Sequence, residues 1–146
     1  MSLFSTFKVS ASGLSAERLR MDLIADNISN AETTRTPEGG PYKRKMAVFS
    51  PYRSFETTLK KELALREGVK VDKIIEDNSP FKLVYNPEHP DAIQEGKEKG
   101  YVRMPNVDIV KEMVDMISAT RAYEANVTAL NAAKSMAFKA MEIGRG

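Results

Sequence analysis

The sequence contains no cysteine and only one histidine, His89. The chain can therefore form neither a disulfide nor a thiolate metal site, and a lone histidine has no second one with which to complete a site. No apolar run approaches the roughly 18 residues that a membrane-spanning helix needs. The net charge is only +2, which gives no argument for nucleic acid as a partner. We expect no cofactor, no metal, no nucleic acid and no insertion into a membrane.

The first thirty residues also lack the apolar core and the cleavage site of a secretory signal peptide, because polar and apolar residues alternate throughout. If the protein leaves the cytosol, we expect it to do so without a removed peptide. Its 146 residues, 42% of them hydrophobic, suffice for the core of one domain.

Residues that could carry chemistry are few. One hypothetical enzyme site would combine Glu88, His89, Asp91 and Tyr101, but a solvated loop histidine is the more common case. Gly39 and Gly40 are followed by a proline, which removes a backbone donor that a phosphate cradle would need. The sequence therefore predicts a protein without catalytic activity.

The strongest pattern lies near the end of the chain, where residues 107–143 predict one long helix. Apolar residues recur at alternating spacings of four and three, interrupted only by Thr120 and Lys134. The predicted seam consists of Ile109, Met113, Met116, Tyr123, Val127, Leu130, Ala137 and Met141. Asn106 is the predicted N-cap, and Asp108 falls in the first turn, where the helix dipole favours an acid. Such a helix needs packing partners along its length.

The first thirty residues repeat this spacing and predict a second helix. Its seam consists of Phe4, Phe7, Ala11, Leu14, Met21 and Ile28, with Arg18 as the polar exception. We expect the two terminal helices to pair as an antiparallel coiled coil.

Each predicted helix carries a second apolar stripe outside its seam. The stripe consists of Val9, Ala16, Leu19 and Leu23 in the first helix and Val110, Ile117 and Phe138 in the second. A two-helix hairpin would leave these residues uncovered, which a soluble monomer rarely tolerates as one patch. Either the middle of the chain covers them, or they pack laterally against other copies or other chains. We adopt the second alternative and assign the stripe to contacts between subunits.

The middle of the chain predicts a small β-rich insert. Residues 31–41 are rich in Pro and Gly and predict a loop, and residues 42–49 predict a strand whose Lys43, Arg44 and Lys45 form a solvated edge. Residues 54–66 predict at most a weak helix. Two further strands, at 69–75 and 81–85, predict a hairpin, and 101–104 a last short strand. The predicted fold is α+β, divided into residues 1–30, 31–106 and 107–146.

Several stretches resemble the signature motifs of a known family. They are residues 12–16 (SGLSA), 24–33 (IADNISNAET), 36–42 (TPEGGPY), 101–108 (YVRMPNVD), 122–127 (AYEANV) and 142–144 (EIG). The first two are similar to the N-terminal signature of bacterial flagellar rod and hook proteins, and the others narrow the resemblance to the proximal rod members. Many relatives place a Gly-Tyr pair soon after the Asn-Ala-x-Thr motif. Here residues 34–41 intervene, which argues against the distal rod and hook members.

The resemblance implies a structural subunit that polymerises through its terminal helices into the hollow, torque-transmitting rod of the flagellar basal body, and so serves motility. It implies export through the flagellar type III apparatus without a cleaved signal, and assembly in the periplasm. The implied partners are further copies of the chain, the rod proteins FlgB, FlgF and FlgG, the junction protein FliE and the ring protein FliF. The alternative left open by the residues is a coiled-coil adaptor or oligomerisation module outside the flagellum.

Overall fold

A computed structural model of the chain describes residues 3–52 and 68–144. The elements are α1 (Leu3–Ser29), β1 (Lys45–Pro51), β2 (Val69–Glu76), β3 (Lys82–Tyr85), β4 (Tyr101–Met104) and α2 (Ile109–Ile143). Two long helices with short strands between them confirm the predicted α+β fold. The weak helix predicted at 54–66 lies outside the described residues.

The strands form two separate two-stranded sheets, β1–β2 and β3–β4. In the second, Lys82 lies opposite Met104 and Tyr85 opposite Tyr101, in antiparallel register. The predicted hairpin of β2 with β3 is therefore wrong. Alternation of residues along a strand identifies a strand but does not identify its partner. After β2, the Asp77 N–H donates to the Arg44 carbonyl (2.8 Å), which directs the chain back towards β1.

Asn106 reinforces this turn instead of capping α2. Its Nδ2 donates to the carbonyls of Asp77 (2.9 Å) and Ser79 (3.3 Å), and its Oδ1 accepts from the Arg44 N–H (2.9 Å). The N-cap of α2 is Asp108, whose Oδ1 accepts from the N–H groups of Val110 (3.1 Å) and Lys111 (3.4 Å). The prediction chose the wrong residue because both side chains are good caps and only tertiary contacts separate them.

The described chain forms two compact units. One comprises Met1–Met21, Ala47–Lys73 and Ile117–Gly146, and the other comprises Asp22–Met46 and Ile74–Met116. Each unit contains part of both helices. The predicted domains, two helical ends and a central insert, follow the order of the elements along the chain. That division stays a prediction.

Within the first unit, α1 and α2 are antiparallel neighbours. A Cβ atom added to Gly13 would lie 3.0 Å from Asn126 Nδ2, and the Thr120 hydroxyl lies 3.7 Å from Met21 Sδ. Advancing along α1 from Gly13 to Met21 therefore means moving backwards along α2 from Asn126 to Thr120. Coiled-coil packing in the strict sense stays a prediction. No helix in the described residues is long and apolar enough to cross a membrane.

Candidate functional site

The innermost line of α2 is shifted by one residue from the predicted seam. Glu112 and Ala119 are completely buried, Ala133 is nearly so, and Asn126 is half-buried. The predicted line one residue later contains Met113, Thr120 and Lys134, which are all exposed. Counting apolar residues along the sequence favours large side chains at the contact between two helices. Small side chains, however, let two helices approach most closely, and a buried polar side chain needs only a hydrogen-bond partner.

The other predicted line of α2 is half-buried along most of its length. Met116, Tyr123, Leu130 and Ala137 belong to it, and Val127 is half-buried as well. At the two ends of the helix, Ile109 and Met141 are exposed.

The same one-residue shift occurs in α1. Ser10 and Ile24 are buried, whereas the predicted Ala11 and the polar exception Arg18 are exposed. The other predicted line is half-buried, at Phe7, Leu14, Met21 and Ile28. The side chain of Phe4 lies outside the described part of the molecule.

Part of the predicted second stripe is already covered within the chain. Ala16 is 4% exposed and Leu23 7%, and Leu19 is half-buried, so the expectation that these residues need a neighbouring subunit to cover them is corrected. A charge placed at Leu23 would therefore damage the core and would not report on assembly.

The remaining stripe residues are exposed in the single chain: Val9, Val110, Ile117 and Phe138. Their assignment to contacts between subunits stays a prediction.

The first two turns of α2 have the reverse of the usual polarity. The buried side carries Glu112 and the half-buried Asp115, while large apolar side chains face solvent. These are Ile109, Val110, Met113 and Val114, which we call the outer stripe. At about 100° per residue, Val110 and Val114 each lie about 160° around the axis from Glu112. An amphipathic helix ordinarily turns its apolar side to the core.

Arg44 binds both of these carboxylates. Its Nε donates to Glu112 Oε1 (2.5 Å), its Nη2 to Asp115 Oδ2 (3.3 Å), and its Nη1 to Met46 Sδ (2.9 Å). The Arg44 side chain is only 13% exposed. The predicted solvated edge is therefore wrong for this residue, because a buried glutamate on a distant helix supplies its counter-charge.

Asn27 uses its full hydrogen-bonding capacity in the same cluster. Its Nδ2 donates to the Lys45 carbonyl (2.9 Å) and to Glu112 Oε2 (3.0 Å). Its Oδ1 accepts from the Lys45 N–H (2.9 Å) and the Tyr42 hydroxyl (3.0 Å). Two donors and two acceptor positions are all an asparagine side chain offers. Asn27 thus ties the end of α1 to β1 and to α2.

Tyr42 completes the cluster from the segment before β1. Burial raises the pKa of Tyr42 above its usual value of 10.0, and the nearby carboxylates of Asp26, Glu112 and Glu76 raise it further. The phenol therefore stays protonated and keeps donating to Asn27 well into the alkaline range.

Sequence reasoning missed this cluster, although the signals were present. Asn27 lies within the motif at residues 24–33, and Glu112 occupies an inward position only after the seam is shifted by one residue. A pattern of apolar residues does not predict an acidic residue at a buried helical position. The pattern alone therefore gave no reason to look for a partner of Glu112.

Three residues of the hypothetical enzyme site make other contacts, and the fourth, Glu88, is exposed. His89 Nδ1 accepts from the Asp91 N–H (3.1 Å), and the Asp91 carboxylate binds the Thr34 hydroxyl (2.8 Å) and Arg35 (2.6 Å). Tyr101 packs edge-on against Tyr85. Within residues 3–52 and 68–144 no group of three or more His, Asp or Glu side chains could hold a metal ion.

Comparison with known proteins decides the family. The family model for the flagella basal body rod protein matches residues 7–35, and that for the flagellar basal body rod FlgEFG protein C-terminal matches residues 98–143. The flagellar basal-body rod protein FlgC of Borreliella burgdorferi is 48% identical over 152 residues, with all of both chains covered. The chain belongs to the FlgC family. FlgC of Bacillus subtilis is 49% identical over 154 residues, covering 99% of this chain and all of the relative.

FlgC of Salmonella typhimurium is 39% identical over 145 residues, again with 99% and 100% covered. The resemblance to flagellar rod proteins is thereby confirmed. FlgC proteins are structural subunits of the basal-body rod and are not an enzyme family. The alternative of an adaptor outside the flagellum is set aside by these full-length matches.

Proposed function

We propose that this rod subunit polymerises laterally through its terminal helices, with further copies and with neighbouring rod proteins, into the hollow axial shaft that transmits torque. The supporting observation is the outer stripe of α2, where four large apolar side chains face solvent over two turns. Contiguous exposed apolar patches of this kind mark interaction sites. Contacts that do not close into a ring build a helical filament from identical subunits.

The reversed polarity of this segment distinguishes it from an ordinary surface helix. Charged groups occupy its inner side, where Arg44 and Asn27 compensate them, and the apolar side chains of the outer stripe face solvent. Val110, at 72% exposure, is the most exposed member of the outer stripe. A neighbouring helix laid along the stripe would remove these side chains from water and contribute about 25 cal/mol per Å² of apolar area covered.

The finer assignments belong to the same proposal. The neighbours are FlgB, FlgF and FlgG along the rod, and FliE and the FliF ring at its base. The chain is exported without a cleaved signal peptide and assembles in the periplasm. Both assignments rest on the family resemblance.

The experiment that tests the proposal is Val110→Glu in cells whose only copy of the protein carries the change. Because Val110 is exposed in the single chain, folding stability should change by no more than about 0.5 kcal/mol. In a lateral contact, the same charge left unpaired costs about 2 kcal/mol or more at every copy. We expect soluble protein at normal levels, absence of the chain from purified basal bodies, and loss of swimming.

Lys97→Glu is the matched control, since it introduces the same side chain at an exposed loop position of the same unit. It should leave swimming and basal-body incorporation intact. Normal swimming by the Val110→Glu strain would remove the outer stripe from the assembly contacts.

A further inference from the structure

The first two turns of α2 are oriented against their own hydrophobicity. Ile109, Val110, Met113 and Val114 would be expected to turn inward, and Glu112 outward, if apolar burial alone decided the rotation of the helix about its axis. The structure has the opposite arrangement, with Glu112 fully buried. Apolar burial within these two turns therefore does not explain their orientation.

The directional contacts come from two separate segments of the same unit. Arg44 reaches both Glu112 and Asp115, one turn apart on α2, and Asn27 donates to the second oxygen of Glu112. A rotation of the helix that brought the outer stripe inward would carry both carboxylates out of reach of these donors. All three contacts would then be lost together.

Arg44 is itself fixed, so its guanidinium has a defined position. Its N–H donates to Asn106 Oδ1 (2.9 Å), and its carbonyl accepts from the Asp77 N–H (2.8 Å). The backbone of Arg44 is therefore held in place, and its side chain can follow a movement of the helix only over a small distance.

We infer that the ion pair of Arg44 with Glu112 and Asp115 is a positioning device that sets the rotation of α2 and keeps the outer stripe facing outward. Apolar packing is non-directional, whereas a buried ion pair is satisfied in one arrangement only. The best-attested use of buried polar groups is to specify register, often at the expense of stability. The role of the exposed outer stripe as an assembly contact rests on the proposed function.

The test uses a thiol reporter, which is possible because the chain has no cysteine of its own. Val114→Cys places a single thiol in the outer stripe, and its rate of reaction with a thiol reagent measures its exposure. The ion pair is then removed in that background by Arg44→Met, which leaves the carboxylates of Glu112 and Asp115 without their counter-charge. Circular dichroism of both proteins checks that the helix content of the chain is unchanged.

We expect the labelling rate of Val114→Cys to fall about tenfold or more in the Arg44→Met protein. The unpaired carboxylates would turn out to solvent and bring the outer stripe inward, where a thiol reacts only through local opening. The matched control is Arg103→Met, which removes an exposed arginine that pairs with Glu98 in the same unit, and it should leave labelling unchanged. A helix that merely unfolded would instead label faster and lose circular dichroism, and that result would overturn the inference. Unchanged labelling with an intact helix would overturn it as well.

A second measurement separates this inference from the proposed function. Arg44→Met, without the cysteine, is introduced into cells as their only copy, and its incorporation into basal bodies is measured. Slower labelling of the thiol together with lost incorporation supports both the positioning role and the proposed function. Slower labelling with normal incorporation supports the positioning role and shows that the outer stripe is not an assembly contact. A labelling rate that does not fall rejects the positioning role alone, whether or not the protein is incorporated.

Discussion

Asn27 pairs with the backbone of Lys45 as a neighbouring strand would. Its carboxamide donates to the Lys45 carbonyl and accepts from the Lys45 N–H, both at 2.9 Å. A side chain at the end of α1 thus occupies the edge of β1 at its first residue. The remaining donor and acceptor of the carboxamide bind Glu112 and Tyr42.

Asn27→Asp should destabilise the chain severely. The carboxylate would lack the two N–H donors that now face the Lys45 carbonyl and the Glu112 carboxylate, and it would add a like charge beside Glu112. A buried group left unsatisfied costs about 1–3 kcal/mol, so we expect the free energy of unfolding to fall by about 3 kcal/mol or more. Urea denaturation followed by circular dichroism measures it. Asn131→Asp, exposed on α2, is the control and should change it by no more than about 0.5 kcal/mol.

Tyr42 should give the chain an alkaline loss of stability. Its pKa is raised in the folded state above the usual 10.0, so its contribution is fully present below pH 10 and is lost as the pH rises through the folded pKa. Tyr42→Phe removes the donor to Asn27 Oδ1, at a cost of about 1 kcal/mol near neutral pH. Unfolding free energies of both proteins, measured from pH 8 to about pH 11, should converge at the alkaline end. A constant difference across that range would contradict the assignment.

Gly13 should be coupled to Asn126. Alanine in a helix is worth about 1 kcal/mol over glycine, yet a Cβ at Gly13 would lie 3.0–3.2 Å from the side chain of Asn126. We expect Gly13→Ala alone to bring no gain, because Asn126 must move and strain its bond to the Ala122 carbonyl. In an Asn126→Ala background the same change should stabilise by about 1 kcal/mol. A gain of equal size in both backgrounds would mean that the two helices have room to spare there.

The sequence predicted the helices well, because long periodic patterns leave little ambiguity. It failed where a choice of partner mattered. Alternation marked β2 and β3 as strands, but the pairing of β2 with β1 depends on Arg44, Asp77 and Asn106, which lie far apart in the chain. No local pattern contains that information.

The seam was displaced for a related reason. Counting apolar residues placed Met113 inward and ignored Glu112, since a buried acid is expected only where its counter-charge is known. That counter-charge, Arg44, was assigned to a solvated edge because it lies between two lysines. The motif at residues 24–33 did contain Asn27, but the resemblance identified a family and could not say what the side chain binds.

The antiparallel arrangement of α1 and α2 in the first unit also has a mechanical consequence. A force that slides one helix lengthwise past the other loads the contact of Gly13 with Asn126 and that of Met21 with Thr120 at the same moment, as in a sheared joint. A force that separates the helices from one end loads them in succession, as in a zip. The pair therefore resists lengthwise sliding better than peeling, and a subunit placed with its helices along the direction of load is in its stronger orientation.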